Sequence, residues 1–162
     1  MIRNIISTDA PEILNIYELG LETRNATFET RVPTWEEWDK KHHSHSRLVF
    51  FENDMIKGWA ALAPFSMREV YRGVAELSIY IHPEHSGKGI GSQLMRGLIA
   101  SSEKNLIWTL FSSVFPENEA TVKLHTKFGF KLLGRREKIA QLDGIWRDTL
   151  IFERRSKIVG ID

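Results

Sequence analysis

Cysteine is absent from all 162 residues. Disulfides, thiolate nucleophiles and cysteine-ligated zinc are therefore excluded together, and the composition fits a reducing compartment. Charge of one sign is also missing. The 22 Lys+Arg face 21 Asp+Glu, a formal net charge of +1, which is too little surplus to neutralise a run of phosphates and argues against a duplex nucleic-acid binder. No apolar run approaches the roughly 18 residues that cross a bilayer, and Met1-Ile2-Arg3-Asn4-Ile5-Ile6 lacks the longer apolar core of a secretory signal. These absences predict a soluble, cytoplasmic protein with neither a membrane nor a nucleic acid as partner. What is present, 42% hydrophobic and 27% charged residues, is the balance of a globular chain of one-domain length. Residues 1–155 are expected to form that domain and 156–162 a loose tail.

Ile2 to Ile6 reads as a strand. Thr8-Asp9-Ala10-Pro11-Glu12 reads as a helix start, with Ile13, Ile16, Tyr17 and Leu21 following at helical spacing. Thr34 and Glu37 have capping-box spacing and open a second, polar helix expected on the surface. Residues 47–51 and 56–65 form a hairpin about the turn Glu52-Asn53-Asp54. The strand from Val74 to Ile81 alternates, with Ala75, Leu77, Ile79 and Ile81 on one face and Glu76, Ser78 and Tyr80 on the other. A helix with Ile90, Leu94 and Leu98 on one stripe, a strand over 106–114 and a helix from Pro116 to Gly129 follow. Two last strands, about 130–141 and 145–154, join at Asp143-Gly144. Antiparallel hairpins mixed with strand–helix–strand crossovers predict an α+β (mixed α/β) fold: a mixed, mostly antiparallel sheet of about six or seven strands flanked by about four helices.

The glycine cluster Gly87-Lys88-Gly89-Ile90-Gly91 lies between a strand and a helix. Glycines there permit a turn with positive φ, and free amides at the positive end of the helix then suit phosphate oxygens. A turn that needs glycine only for packing is the plain alternative. The spacing matches neither G-x-G-x-x-G nor the Walker A pattern.

The stretch Ala75 to Gly91 resembles the signature strand and the [QR]-x-x-G-x-[GA] loop of the GNAT acetyltransferase superfamily, with Ser86 where the family has Gln or Arg. Asn118 to Phe130 resembles that family's later helix, which ends in G-F. Residues 22–30, 33–38, Pro64-Phe65, Tyr71 and 144–148 look closest to the branch of phosphinothricin and methionine sulfone/sulfoximine N-acetyltransferases. The resemblance implies the fold predicted above, acetyl-CoA as co-substrate, no metal, and a small anionic amino-acid-like amine as acceptor. Relatives are commonly homodimers.

By the same resemblance, Glu76 is the general base and His125 the acid that protonates the departing thiolate. Ile79, Tyr80 and Ile81 run beside the pantetheine arm, the Ile79 amide donating to the thioester oxygen, and a bulge in this strand opens the slot. Gly87, Lys88, Gly89, Ile90, Gly91 and Ser92 hold the pyrophosphate, and Asn118 the pantetheine. The acceptor contacts fall on Phe28, Ser66, Met67, Arg68, Arg72 and the strand residues Glu76, Leu77 and Ser78. Two guanidinium groups suit a carboxylate or phosphinate; on spacing alone Arg68 and Arg72 are equally loop arginines in solvent, and Glu76 equally a strand carboxylate in solvent or paired with arginine. Asn118 at a helix start is also a cap, His125 on its own reads equally as an exposed helix histidine, and Phe28 equally as core packing. His42, His43 and His45 lack acidic companions and read as a solvated helix end rather than a metal site, and His82 and His85 read likewise. Other amines (a protein N-terminus, a polyamine, an aminoglycoside) and a non-catalytic acyl-CoA-binding module are the competing functions. The presence of Glu76 speaks against the last.

Overall fold

Seven strands form one sheet. They are β1 (Ile2–Asn4), β2 (Leu48–Glu52), β3 (Met55–Pro64), β4 (Val74–Ile81), β5 (Thr109–Val114), β6 (Lys131–Leu142) and β7 (Ile145–Arg155). Four helices flank it: α1 (Ala10–Glu22), α2 (Trp35–Lys41), α3 (Ile90–Lys104) and α4 (Glu119–Lys127). The computed structural model describes all residues 1–162. The sheet order is β1-β2-β3-β4-β5-β7-β6, and only β4–β5 is parallel. The mixed, mostly antiparallel sheet expected from the sequence is thus the one observed.

Alternation along the strands separates two cores. On one face the α3 residues Leu94, Met95 and Leu98 pack on Leu62, Ala75 and Leu77. On the other, Ile13, Ile16 and Tyr17 of α1 and Trp38 of α2 pack on Val49 and Trp59. β4 therefore turns its odd positions toward α3 and its even positions toward α1 and α2. The β2–β3 turn at Asn53-Asp54 and the β6–β7 turn at Asp143-Gly144 both have positive φ at both residues, as two-residue hairpins with right-handed twist require.

Several boundaries differ from the sequence reading for identifiable reasons. β1 stops at Asn4 and a 3-10 turn, Ser7–Asp9, precedes α1. The Asp9 carboxylate turns back to accept from the Ile6 amide at 2.9 Å and from Arg3 at 2.7 Å instead of capping α1. β5 starts at Thr109 because Leu106 has φ +60 and closes the end of α3. The capping box of α2 forms, Glu37 N donating to Thr34 Oγ1 at 3.2 Å and Thr34 N to Glu37 Oε2 at 2.9 Å. That helix is nevertheless not merely a surface helix: Trp38 is only 2% exposed. Its end is not solvated either. His42 is buried against Trp38 and Trp59, with Nδ1 2.7 Å from the Trp38 carbonyl. The tail is tied down rather than loose. Arg155 donates to the carbonyls of Val159 (2.8 Å) and Gly160, and the buried Ser156 hydroxyl donates to Glu103 at 2.9 Å.

Burial holds the His42 imidazole well below its ordinary 6.5, at about 4. Between those values the unfolded chain binds a proton that the folded chain does not, so stability is full above about 6.5 and falls as the pH drops toward 4. Thermal midpoints are expected to fall over this window, and His42→Asn to flatten the slope. An unchanged slope would remove His42 from the acid transition.

Candidate active site

β4 and β5 pair only at Val74–Thr109, Ala75–Leu110 and Glu76–Phe111. β4 then continues to Ile81 without a partner on that side. On its other side it pairs with β3 from Ala75 to Ile81 with no shift of register. The bulge implied by the family resemblance is therefore missing from this pairing; the slot opens because β5 leaves. Both ends of the β3–β4 ladder are bonded at even positions of β4, Phe65 N to Val74 O at 3.2 Å and His82 N to Lys57 O at 2.9 Å. Antiparallel alternation then turns the backbone groups of the odd positions, Ile79 and Ile81 among them, away from β3 and into the gap. A cavity of about 740 Å³ fills this gap.

At one end the chain passes from β4 through a 3-10 turn, Pro83–His85, into the glycine cluster. Gly87 and Gly89 have φ +74 and +79, and no atom lies within 4 Å of the place a Cβ would occupy at either. Gly89 caps the 15-residue helix α3, and no side chain satisfies its first amides. The outcome is a bare backbone cradle at a helix N-terminus, the arrangement that takes a phosphate group. Gly87, Gly89, Gly91 and Ser92 all face the cavity.

In the middle of the cavity stands Glu76, half-buried. Burial raises its pKa above the ordinary carboxylate value, and Lys41, also on the cavity wall, pulls it partway back. Ser78 and Tyr80 follow on the same face. The Tyr80 ring stacks on Trp59 and meets Tyr17 edge-on, each at 4.9 Å between centroids. α1 approaches this ring only because residue 20 is glycine: a Cβ there would lie 2.6 Å from it. Burial pushes the Tyr17 hydroxyl up to about 12 and raises Tyr80 further, so both phenols stay protonated at neutral pH.

On the far wall His125 of α4 is 2% exposed. Its Nδ1 lies 2.7 Å from the Thr121 carbonyl, which can only accept, so Nδ1 carries the proton. Nε2 is left with a free lone pair and no partner. Burial lowers the pKa, and the ring is neutral at neutral pH. Asn118 does cap α4, accepting from Thr121 N at 3.3 Å, and also donates to the Asn25 carbonyl at 3.1 Å.

The structure thus gathers Glu76, Leu77, Ser78, Ile79, Tyr80, Ile81, Gly87, Gly89, Gly91, Ser92, Asn118 and His125 around one cavity. It does not bring the remaining candidates to that wall. Lys88 folds back to donate to the Glu84 carbonyl at 3.0 Å, and the Ile90 side chain lies in the α3 core. Phe28 packs edge-on to Phe115. Ser66, Met67, Arg68 and Arg72 line a separate groove of about 220 Å³, because Phe65 wedges between Tyr71 and Phe111 and carries the loop past the sheet. There Arg68 lies over Tyr71, and Arg72 over Trp108. The other charged groups lining the cavity are instead Glu29, Arg31, Glu37 and Lys41, with Arg31 and Glu37 paired at 3.1 Å. Sequence reasoning does not single these out, since they come from an irregular segment and a short helix. No local sequence pattern marks them.

Comparison with known proteins agrees with this geometry. A family model described as the acetyltransferase (GNAT) family matches residues 10–130. The Bacillus subtilis protein YwnH is 32% identical over 152 residues, spanning 90% of this chain and 93% of its own length. An L-methionine sulfoximine/L-methionine sulfone acetyltransferase of Pseudomonas aeruginosa is 27% identical, covering 94% of this chain and 92% of its own. The crystal structure of a phosphinothricin acetyltransferase from Sinorhizobium meliloti in complex with acetyl-CoA superposes with a TM-score of 0.91 at 25% identity, covering all of this chain and 91% of that one.

The cradle generates a test. Gly89→Val puts a β-branched side chain at φ +79, in the space beside the helix N-terminus. Acetyl-CoA affinity measured by calorimetry is expected to fall by at least about 10-fold, since a tenfold loss needs only about 1.4 kcal/mol. Unchanged affinity in a folded variant would reject the cradle as the phosphate site.

Proposed function

The chain belongs to the GNAT acetyltransferase family, and on that premise we propose that it transfers the acetyl group of acetyl-CoA to the primary amine of a small, carboxylate-bearing, amino-acid-like acceptor. The observation that carries this reading is the half-buried Glu76, with its raised pKa, in the same slot as the unpaired edge of β4 and the glycine cradle. The cradle and the Ile79 and Ile81 backbone groups fit the diphosphate and the amide-rich arm of acetyl-CoA, as an added strand would.

An alkylammonium has a pKa near 10 and cannot attack while protonated. Glu76 takes that proton, directly or through a water, and the neutral amine adds to the thioester carbon. The oxyanion accepts from the Ile79 amide, which points into the gap. Forming the C–N bond acidifies a second N–H proton. The bare Nε2 of His125 accepts it and returns it to the sulfur as the C–S bond breaks. Burial disfavours the imidazolium, so this proton is given up readily. The products are the amide and free thiol, with the first proton left on Glu76 for solvent.

Phosphinothricin, methionine sulfone and methionine sulfoximine are the acceptors to try first, by the relatives' activities. The exposed apolar side chains of the last hairpin, including Leu132, Leu133, Ile139 and Trp146, support assembly as a homodimer. No helix is long and apolar enough to cross a membrane, and the cysteine-free sequence supports a cytoplasmic site of action.

A thiol-release assay is expected to show turnover with these three acceptors; release only with spermidine or an aminoglycoside would overturn the acceptor class. Glu76→Gln is expected to keep acetyl-CoA affinity and to lower kcat by about 10²-fold or more near neutral pH. The pH profile supplies a sign. Lys41 stabilises the Glu76 carboxylate, so Lys41→Met should move the acid limb of kcat/KM to higher pH. A limb that stays in place, or moves down, would separate the rate profile from Glu76.

A further inference from the structure

Residues 23–33 form neither helix nor strand, yet Thr27, Glu29 and Arg31 from this segment line the acceptor end of the cavity. An irregular wall can hold an acceptor in attacking geometry only if something outside it fixes its backbone. Arg24 pairs with Asp143 and Arg31 with Glu37, each at 3.1 Å, and Phe28 packs on Phe115, but one largely buried side chain makes two hydrogen bonds to the segment at once. Arg147, near the start of β7, donates from Nη1 to the Arg24 carbonyl at 2.8 Å and from Nη2 to Asn25 Oδ1 at 3.2 Å. The same Nη2 lies 3.3 Å from the Glu117 carboxylate, and the guanidinium lies 4.0 Å above the Phe115 ring. The side chain is only 15% exposed. Asn25 is gripped a second time, through its carbonyl, by Asn118.

Glu117 and Asn118 open α4, the helix that carries His125. One guanidinium therefore joins the acceptor wall to the start of the helix on the thioester side. Only a planar fork can meet two acceptors on the segment, one carboxylate and an aromatic face together; an ammonium at the end of a lysine stem lacks the fork and the stacking plane. Arg147 does not itself reach the cavity wall.

We propose that Arg147 is a positioning residue: a latch that locks residues 23–33 onto the start of α4 and so sets the acceptor amine against the thioester. Its kinetic consequence rests on the acetyl-transfer function above. Its structural consequence does not. Loss of the latch loosens one cavity wall and leaves the glycine cradle, β4 and the acetyl-CoA arm in place.

Hydrogen exchange on the full-length protein tests this directly. In Arg147→Gln, the hydrogen-bonded amides of this segment, Thr23, Arg24, Asn25 and Glu29, are expected to exchange about 10-fold faster or more, with β3 and β4 unchanged, because a local opening raises exchange only where structure is lost. Acetyl-CoA affinity by calorimetry should stay within about twofold, and KM for methionine sulfone should rise about 10-fold with a smaller change in kcat, the split expected for lost positioning of one substrate. Arg147→Lys should recover part of the exchange protection through one remaining hydrogen bond. Asn25→Ala, which removes a single half-buried acceptor, should produce a weaker effect in the same segment and guards against a misfolded Arg147→Gln. Unchanged exchange in 23–33, or acceleration spread over the whole sheet, would overturn the latch. An enzyme inactive toward every small amino-acid acceptor would count against the acceptor assignment alone, since the exchange comparison decides the latch without an acceptor.

Discussion

The divergence of β4 from β5 after three paired residues is the constraint on which the remaining features depend. A longer pairing would satisfy the outward backbone groups of Ile79 and Ile81 and leave no slot. An unsatisfied buried backbone group costs on the order of 1–3 kcal/mol, so the gap persists only because each strand is held elsewhere. β4 is zipped to β3 through Ile81, and β5 to β7 from Thr109 to Val114. Helix α4 closes one side of the wedge, with Leu124 3.4 Å from where a Cβ on Gly91 would sit. The molecule thus keeps an internal strand edge, and an extended amide-bearing ligand is the natural means of pairing it.

Two kinds of electrostatics meet along this edge. The phosphate end relies on main-chain dipoles, whose charge does not titrate and is worth roughly 0.3–1 kcal/mol per helix end, up to about 2 where partly buried. The proposed reaction centre relies instead on a group that must titrate. For Glu76 burial and the nearby Lys41 act in opposite directions, and burial is the larger effect. The ordering is physical: an exposed cation is screened by water and salt, whereas desolvation of the carboxylate is not. Burial moves His125 in the opposite direction: it raises the Glu76 carboxyl and lowers the His125 imidazole, which is the pairing the proposed proton transfers need.

The sequence was most informative where local rules act alone. The alternation of Val74–Ile81, the Thr34–Glu37 capping box, the Asp143-Gly144 turn and the glycine cluster all depend on neighbours in sequence, and each is found where its pattern put it. Non-local packing decided the rest. Nothing near Trp38 or His42 says that α2 will lie on Trp59. The absence of a bulge in β4 depends on where β5 turns away, which no alternation records. Arg68 and Arg72 carried suitable chemistry, but Phe65, Tyr71 and Phe111 form an aromatic wedge that directs their loop into another groove. The tail carries no sequence sign of order because its ties, Arg155 to backbone carbonyls and Ser156 to Glu103, are contacts with distant residues that follow no local pattern.

The acceptor wall argues for selection by arrangement rather than by net charge. Glu29, Glu37 and Glu76 face Arg31 and Lys41 across it. A polyamine would meet two cations and a polyanion three carboxylates, so neither finds a wall of one complementary sign. The proposed acceptor, a small zwitterion, presents both signs at fixed spacing and so matches a wall of mixed sign. Such discrimination depends on where the wall's charges stand, and these stand on a short helix and an irregular segment. The strands give the slot a rigid frame, whereas the backbone of residues 23–41 is fixed by packing between distant elements, so substitutions there are the ones that can move these charges without disturbing β4.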